Sequence, residues 1–188
     1  MADEPASLEA IQAVASALKE AGVRYAFIGG AALSAWGVPR ATFDLDLALS
    51  VPEEGIGVVL DVLSRRGFVV DATFRSGFRD RVGGMETIHV HLPAGRTLMA
   101  VDLFLATTPL LGSVVERRTS IDLGRGPIEV CTAADLILLK LIADRPKDRI
   151  DIQNILAVQG VPEREYLVRW AERLSLRGKL EEILKGRS

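Results

Sequence analysis

Three carboxylates and a pair of glycines are the residues of this 188-residue chain best placed to do chemistry. Gly29-Gly30 follows the short apolar run Tyr25-Ala26-Phe27-Ile28, and Asp44-Leu45-Asp46 comes after a gap of thirteen residues. Val101-Asp102-Leu103 stands much later, inside the otherwise apolar segment Thr97–Leu105. Glycines between a buried strand and a helix N-terminus leave backbone N–H groups facing outward with the helix dipole behind them, a seat for phosphate. Side chains alternate along a strand, so Asp44 and Asp46 share one face, roughly 7 Å apart. Two ionised carboxylates that close are costly without a cation, and Mg²⁺ commonly takes one or two carboxylates together with substrate phosphates. A third carboxylate, Asp102, costly alone among apolar neighbours, permits a second metal. The chemistry implied is metal-assisted transfer at phosphorus.

The elements that must position these groups read as follows. A first helix begins after Ser7 as N-cap and ends before Gly22, with Leu8, Ile11, Val14, Ala15 and Leu18 inward. Tyr25–Ile28 is a strand and 31–36 a short helix stopped by Gly37 and Pro39. The stretch 42–49 is the aspartate strand. Ser50-Val51-Pro52-Glu53 has capping-box spacing and starts a helix to about Arg66. Phe68-Val69-Val70 and Glu86–Leu92 read as strands, the second an edge strand whose polar face carries His89 and His91. No third histidine or thiolate accompanies them to complete a zinc site. Arg75, Arg79 and Arg81 suit either phosphate steering or a solvated loop.

A helix over 107–115 and a turn through Gly124 and Gly126 lead to the strand Ile128-Glu129-Val130. From Thr132 the pattern is helical to the end. It opens with a second capping box, Thr132-Ala133-Ala134-Asp135, and an almost wholly apolar helix that must be buried. Lys140 lies within it, read either as a snorkelling side chain or as a cation reaching phosphate. The next helix starts near Pro146 with Asp144 as cap, and Asp148 and Asp151 sit one turn apart in its dipole-favoured first turns. The tail reads as two amphipathic helices divided near Arg177-Gly178, with Tyr166, Leu167, Trp170 and Leu174 inward.

Gly29-Gly30, the thirteen-residue gap, Asp44-Leu45-Asp46 and Val101-Asp102-Leu103, in that order, resemble the signature of the DNA polymerase beta-like nucleotidyltransferase superfamily. Asp135-Leu136 through Lys140, then Arg145-Pro146-Lys147-Asp148-Arg149-Ile150-Asp151, resemble the later motifs of its AbiEii-type toxin branch. The resemblance covers roughly residues 24–158. It implies an α/β (α+β) fold with a mixed sheet flanked by helices, a nucleotidyltransferase core over 1–130, and a small C-terminal helical cap over 131–188.

The resemblance also implies roles. Asp44 and Asp46 bind Mg²⁺ or Mn²⁺, and Asp102 binds metal and helps to activate the acceptor hydroxyl. Lys140 and Asp148 are functional. Gly29, Gly30, Ser34, Arg40 and Arg145 are the candidates for nucleotide phosphate, Asp151 a further site candidate. Where many members place serine after the first glycine, this chain has Gly30, so that contact falls to backbone N–H or Ser34. The implied reaction moves a nucleoside monophosphate from a nucleoside triphosphate to RNA or protein, toxin-like, with a cognate antitoxin as partner. The rivals are a small-molecule, aminoglycoside-type transferase, a non-catalytic nucleotide-binding interaction module, and a plain structural use of the same residues.

Composition sets the outer bounds. A formal net charge of −2 with 26% charged residues gives no global positive field for nucleic acid, so any RNA contact is local. The length suffices to bury roughly 70% of the unfolded surface. Cys131 is the one cysteine, which excludes an internal disulfide. No secretory pattern opens the chain and no apolar run approaches the ~20 residues of a membrane span, so a cytoplasmic protein is expected.

Overall fold

The computed structural model describes residues 6–95 and 97–185; the outermost parts of the two expected units, 1–5 and 186–188, lie outside them. The elements run α1 (Leu8–Glu20), β1 (Arg24–Phe27), α2 (Gly29–Ala35), β2 (Asp44–Ser50), α3 (Glu53–Arg65), β3 (Val69–Val70), α4 (Ala72–Arg75), β4 (Asp80–Val82), β5 (Met85–Ala94), β6 (Thr97–Leu105), α5 (Pro109–Glu116), β7 (Thr119–Asp122), β8 (Pro127–Val130), α6 (Ala133–Ala143), α7 (Pro146–Gln159), α8 (Arg164–Arg173) and α9 (Arg177–Lys185). The strands form one sheet in the order β3-β5-β6-β2-β1-β8-β7, with β4 beside β3 along the same side of β5. β2 runs parallel to β6, and β1 parallel to β8; the other pairings are antiparallel. The mixed sheet flanked by helices agrees with the expectation.

Alternation along the strands divides the core in two. Leu45, Leu47 and Leu49 of β2 point into a layer with α1 and α3. Ala48 belongs to the opposite layer, with α5 to α9, so Asp44 and Asp46, which share its parity, face those helices. The C-terminal helices therefore pack on the sheet face that carries the aspartates. α6 is the reason: Leu136, Ile137, Leu138, Leu139 and Leu141 are all buried, and a helix apolar all round is stable only when enclosed. Each such side chain contributes roughly 1.5–3 kcal/mol of transfer free energy.

Helix starts divide into those the local chemistry caps and those it does not. Ser7 accepts from Ala10 N at 3.2 Å and Thr132 from Asp135 N at 3.1 Å, as expected. Ser50 does not cap α3. It is the last residue of β2, paired with Arg24, and α3 starts after Pro52 without a side-chain cap. Asp144 ends α6 in the left-handed region (φ 48°), and Arg145 is the N-cap of α7. The tail divides at 174–176, just before the expected Arg177-Gly178. α4, β4 and β7 are additional short elements.

Candidate active site

The register of two strands, β2 and β6, assembles the carboxylates. Asp46 of β2 lies opposite Asp102 of β6 in the parallel pair, and Asp44 opposite Ala100. Adjacent strands are about 4.8 Å apart, so three carboxylates separated by 58 residues of sequence meet on one small area. All three line a cavity of about 330 Å³ that also takes in Gly29, Gly30, Arg40, Lys140, Arg145 and Asp148. Asp102 Oδ1 meets His89 Nδ1 at 2.8 Å, and Asp44 Oδ1 accepts from Thr42 Oγ1 at 3.0 Å.

Asp46 carries the electrostatic signature of the site. Its carboxyl is pushed up from 3.8 to about 6, first by burial, then by the charges of Asp44 and Asp102; Arg145 and Lys140 pull the other way. A carboxyl kept ionised against its surroundings is one that a divalent cation would relieve. Among the described residues no group of three or more His, Cys, Asp or Glu side chains is arranged to hold a metal ion by itself. Mg²⁺ commonly uses one or two carboxylates together with waters and substrate phosphates, and Asp44, Asp46 and Asp102 are the carboxylates at this cavity on which it could draw.

The glycines are explained by close approach as well as by phosphate. Gly29 has φ +59°, and a Cβ there would lie 2.0 Å from Asp46 Oδ2. A Cβ on Gly30 would lie 2.4 Å from Thr42 Oγ1. The two glycines let the start of α2 press against the aspartate strand, its backbone bordering the cavity. Helix α2 begins at Gly29 rather than at residue 31. The absence of serine at position 30 follows from Thr42. Gly30→Ser is expected to destabilise the fold by about 1–3 kcal/mol through overpacking, and Thr42→Gly in the same chain, which removes both the Oγ1 at 2.4 Å and the Cβ at 2.6 Å from the new side chain, to restore part of it, as read by urea unfolding.

On the helical side, Lys140 neither snorkels nor stands free. It is 6% exposed, and its Nζ donates to Asp151 Oδ2 at 2.6 Å and to Asp148 Oδ1 at 3.3 Å. Asp148, fully buried, also accepts from Arg145 Nε at 2.6 Å, and Asp151 from Arg40 Nη1 at 2.7 Å. Burial alone would raise the Asp148 pKa, but the Arg145 hydrogen bond and the charge of Lys140 hold it below the usual carboxylate range. Asp148 and Asp151 are therefore the buried centre of a five-residue ionic cluster rather than solvated acids. Arg40 and Arg145 extend from this cluster to the cavity wall, and Lys147 joins them at its rim.

Some expected residues are elsewhere. Ser34 sits in the last turn of α2, away from the cavity lining. Arg75, Arg79 and Arg81 pair with Asp61, Glu53 and Glu86 outside the cavity. The correction of most consequence concerns His89. β5 is an interior strand between β6 and the β3–β4 side, and His89 lies directly opposite Asp102. Its Nε2 is 3.1 Å from Asp80 Oδ2. Burial opposes protonation of the ring, but Asp102 and Asp80 outweigh it, so its pKa is raised. The one sequence signal was positional: His89 and Asp102 stand five residues from Ala94 and Thr97 respectively, the pair that closes the β5–β6 hairpin, which helps only once that hairpin is known. His91, two residues on, pairs with Ala100.

No protein-family model matches the chain, and no curated protein matches it. Solved structures do. An antigenic nucleotidyltransferase-like protein from Paracoccidioides brasiliensis is similar at TM-score 0.52 and 20% identity, covering 96% of this chain and 94% of that one. ANT(2″)-Ia in complex with adenylyl-2″-tobramycin is similar at TM-score 0.60 and 18% identity, covering 90% and 96%. A solution structure of the antibiotic-resistance factor ANT(2″)-Ia gives TM-score 0.58. The chain has the nucleotidyltransferase fold. Its carboxylate row lies on the sheet face that the C-terminal helices cover.

Proposed function

We propose that the chain is a metal-dependent nucleotidyltransferase that moves a nucleoside monophosphate from a nucleoside triphosphate to a small-molecule acceptor, releasing pyrophosphate. The observation that carries this reading is the Asp46–Asp102 register, with the strained Asp46 carboxyl between like charges and a basic wall across the same cavity. Bound Mg²⁺ supplies charge neutralisation at the phosphates and polarises the reacting oxygens. Gly29 and Gly30 border the phosphates with backbone, while Arg145, Arg40 and Lys147 offset their charge. The acceptor oxygen bonds to the α-phosphorus as the α–β bridging bond breaks; its electron pair leaves with pyrophosphate, and the acceptor proton passes to Asp102. His89 positions Asp102 by holding one of its oxygens, leaving the other toward the acceptor.

A small-molecule acceptor is favoured because the cavity, about 330 Å³, is on the scale of a small ligand, and a net charge of −2 gives no global attraction for nucleic acid. An RNA or protein acceptor, with a cognate antitoxin, is the second reading and rests on the resemblance of the later helical motifs. Pyrophosphate release tests the reading, run with each of the four triphosphates, Mg²⁺ or Mn²⁺, and panels of hydroxylated small molecules, RNA and protein. Release must require metal and an acceptor, and Asp44→Ala must abolish it. Release that persists in Asp44→Ala contradicts the reading.

His89→Ala is expected to lower the transfer rate roughly 10–100-fold, the usual cost of losing a group that orients a ligand side chain, with the Mg²⁺–ATP dissociation constant nearly unchanged. Calorimetry beside turnover separates the two effects. An equal loss in both would show that His89 supports binding instead.

A further inference from the structure

We propose that a second cavity, sharing part of its wall with the first, holds the body of the acceptor, and that it selects a planar apolar molecule bearing an anionic group rather than a polycation. This rests on the nucleotidyl-transfer reading above. The cavity measures about 440 Å³ and shares Gly83, Met85 and Ile142 with the aspartate cavity. That shared rim lies on the Asp102 side, where an acceptor hydroxyl must arrive, and not on the Gly29–Gly30 side, where the phosphates sit. A molecule in the second cavity can therefore extend a hydroxyl over Met85 to Asp102 without crossing the donor.

Its lining sets the chemistry. Leu110 and Leu111 of α5 and Trp170 and Leu174 of α8 form apolar walls, and Trp170, half-buried, offers a ring face of the kind that planar ligands stack on. Arg173 is the one ionisable residue among those lining the cavity. Its guanidinium carbon lies 5.4 Å from the Trp170 ring centroid, and it forms no ion pair with a carboxylate among the described residues. No acid lines this space, so a polyammonium acceptor would bury charge beside an uncompensated cation. An aromatic acid meets a ring and a guanidinium together.

Three matched probes at pH 7.5 test this: 6-(hydroxymethyl)-2-naphthoate, its neutral amide, and the aminomethyl analogue, each titrated by calorimetry into the full chain. The carboxylate should bind about 10-fold more tightly than the ammonium compound, the scale of one partly screened charge contact. Arg173→Glu, at an exposed position, should reverse that order, and Trp170→Ala should weaken all three. With α-labelled ATP, label should reach the naphthoate hydroxymethyl in preference to tobramycin. Equal binding of the three probes, no binding, an order that survives Arg173→Glu, or label absent from the naphthoate overturns the proposal. Titration of Mg²⁺–ATP into the same proteins reports the donor site separately. Its failure in the unsubstituted chain would sink the nucleotidyl-transfer reading itself, whatever the probes do.

Discussion

Asp46→Asn should abolish transfer and yet raise the melting temperature of the metal-free protein at neutral pH. The two effects share one cause. The Asp46 carboxyl is raised to about 6 because burial and the charges of Asp44 and Asp102 penalise its ionised form. Its unfolded counterpart ionises near 3.8, so between these values the folded chain binds a proton that the unfolded chain has released. This group therefore costs no stability at low pH, and stability falls as pH rises through about 6. Above that the cost is on the order of 3 kcal/mol, an upper figure because the cavity admits water. Asparagine removes the charge, so the variant should melt higher by up to roughly 6–10 °C at pH 7.5, with the gap closing toward pH 4. Transfer should fall at least about 10²–10³-fold, the scale of losing one electrostatic stabiliser of the transition state. Melting curves at pH 4 to 8 with a chelator, beside turnover with Mg²⁺, give both numbers. A variant that is less stable at every pH would show that Asp46 is held by attractive contacts instead.

The second large effect belongs to the ionic cluster beneath the cavity. Lys140→Met leaves Asp148 and Asp151 buried with one cation fewer, and should destabilise the fold by about 3–5 kcal/mol, the cost of an uncompensated buried charge. Arg145 still holds Asp148 and Arg40 still holds Asp151, which places the loss at the lower end. Lys140→Met with Asp151→Leu removes both members of the closest pair that Lys140 makes, 2.6 Å apart, and should recover most of the stability. Urea midpoints of the single and double variants decide this. If the double variant is no more stable than Lys140→Met alone, the cluster acts as a whole and the pair is not its unit. Because Arg40 and Arg145 both reach the cavity from this cluster, the double variant should keep its fold and still bind Mg²⁺–ATP more weakly.

The fold class and the carboxylate row were legible in the sequence for a physical reason. A strand turns alternate residues to one face, so Asp44-Leu45-Asp46 in an apolar run already implies two acids on one side with leucine on the other. The apolar surroundings of Asp102 flagged the third. Its register opposite Asp46 was not readable, because pairing between strands so distant in sequence depends on the whole sheet. The same gap hid His89. Without knowing that β5 pairs with β6, a histidine at period two looks like the polar side of an edge strand. The ionic cluster was hidden differently. Lys140 sits in a run so apolar that only the packing of α7 against α6 shows what compensates it. Asp148 and Asp151 look like ordinary acids at a helix start until burial is known. Ser50 misled because a hydroxyl with the right spacing cannot cap a helix while its own backbone is still in the strand. The second glycine was legible as a place where backbone could near a ligand; its close approach to Thr42 Oγ1 was not.

The most direct test compares ATP labelled at the α-phosphorus with ATP labelled at the γ-phosphorus, each incubated with protein, Mg²⁺ and a hydroxylated acceptor, beside Asp44→Ala. Nucleotidyl transfer predicts that the α label moves to the acceptor, that the γ label leaves as pyrophosphate, and that both events stop in the variant. Transfer of the γ label to the acceptor, with the α label left in ADP, would contradict it and make the same carboxylates part of a kinase.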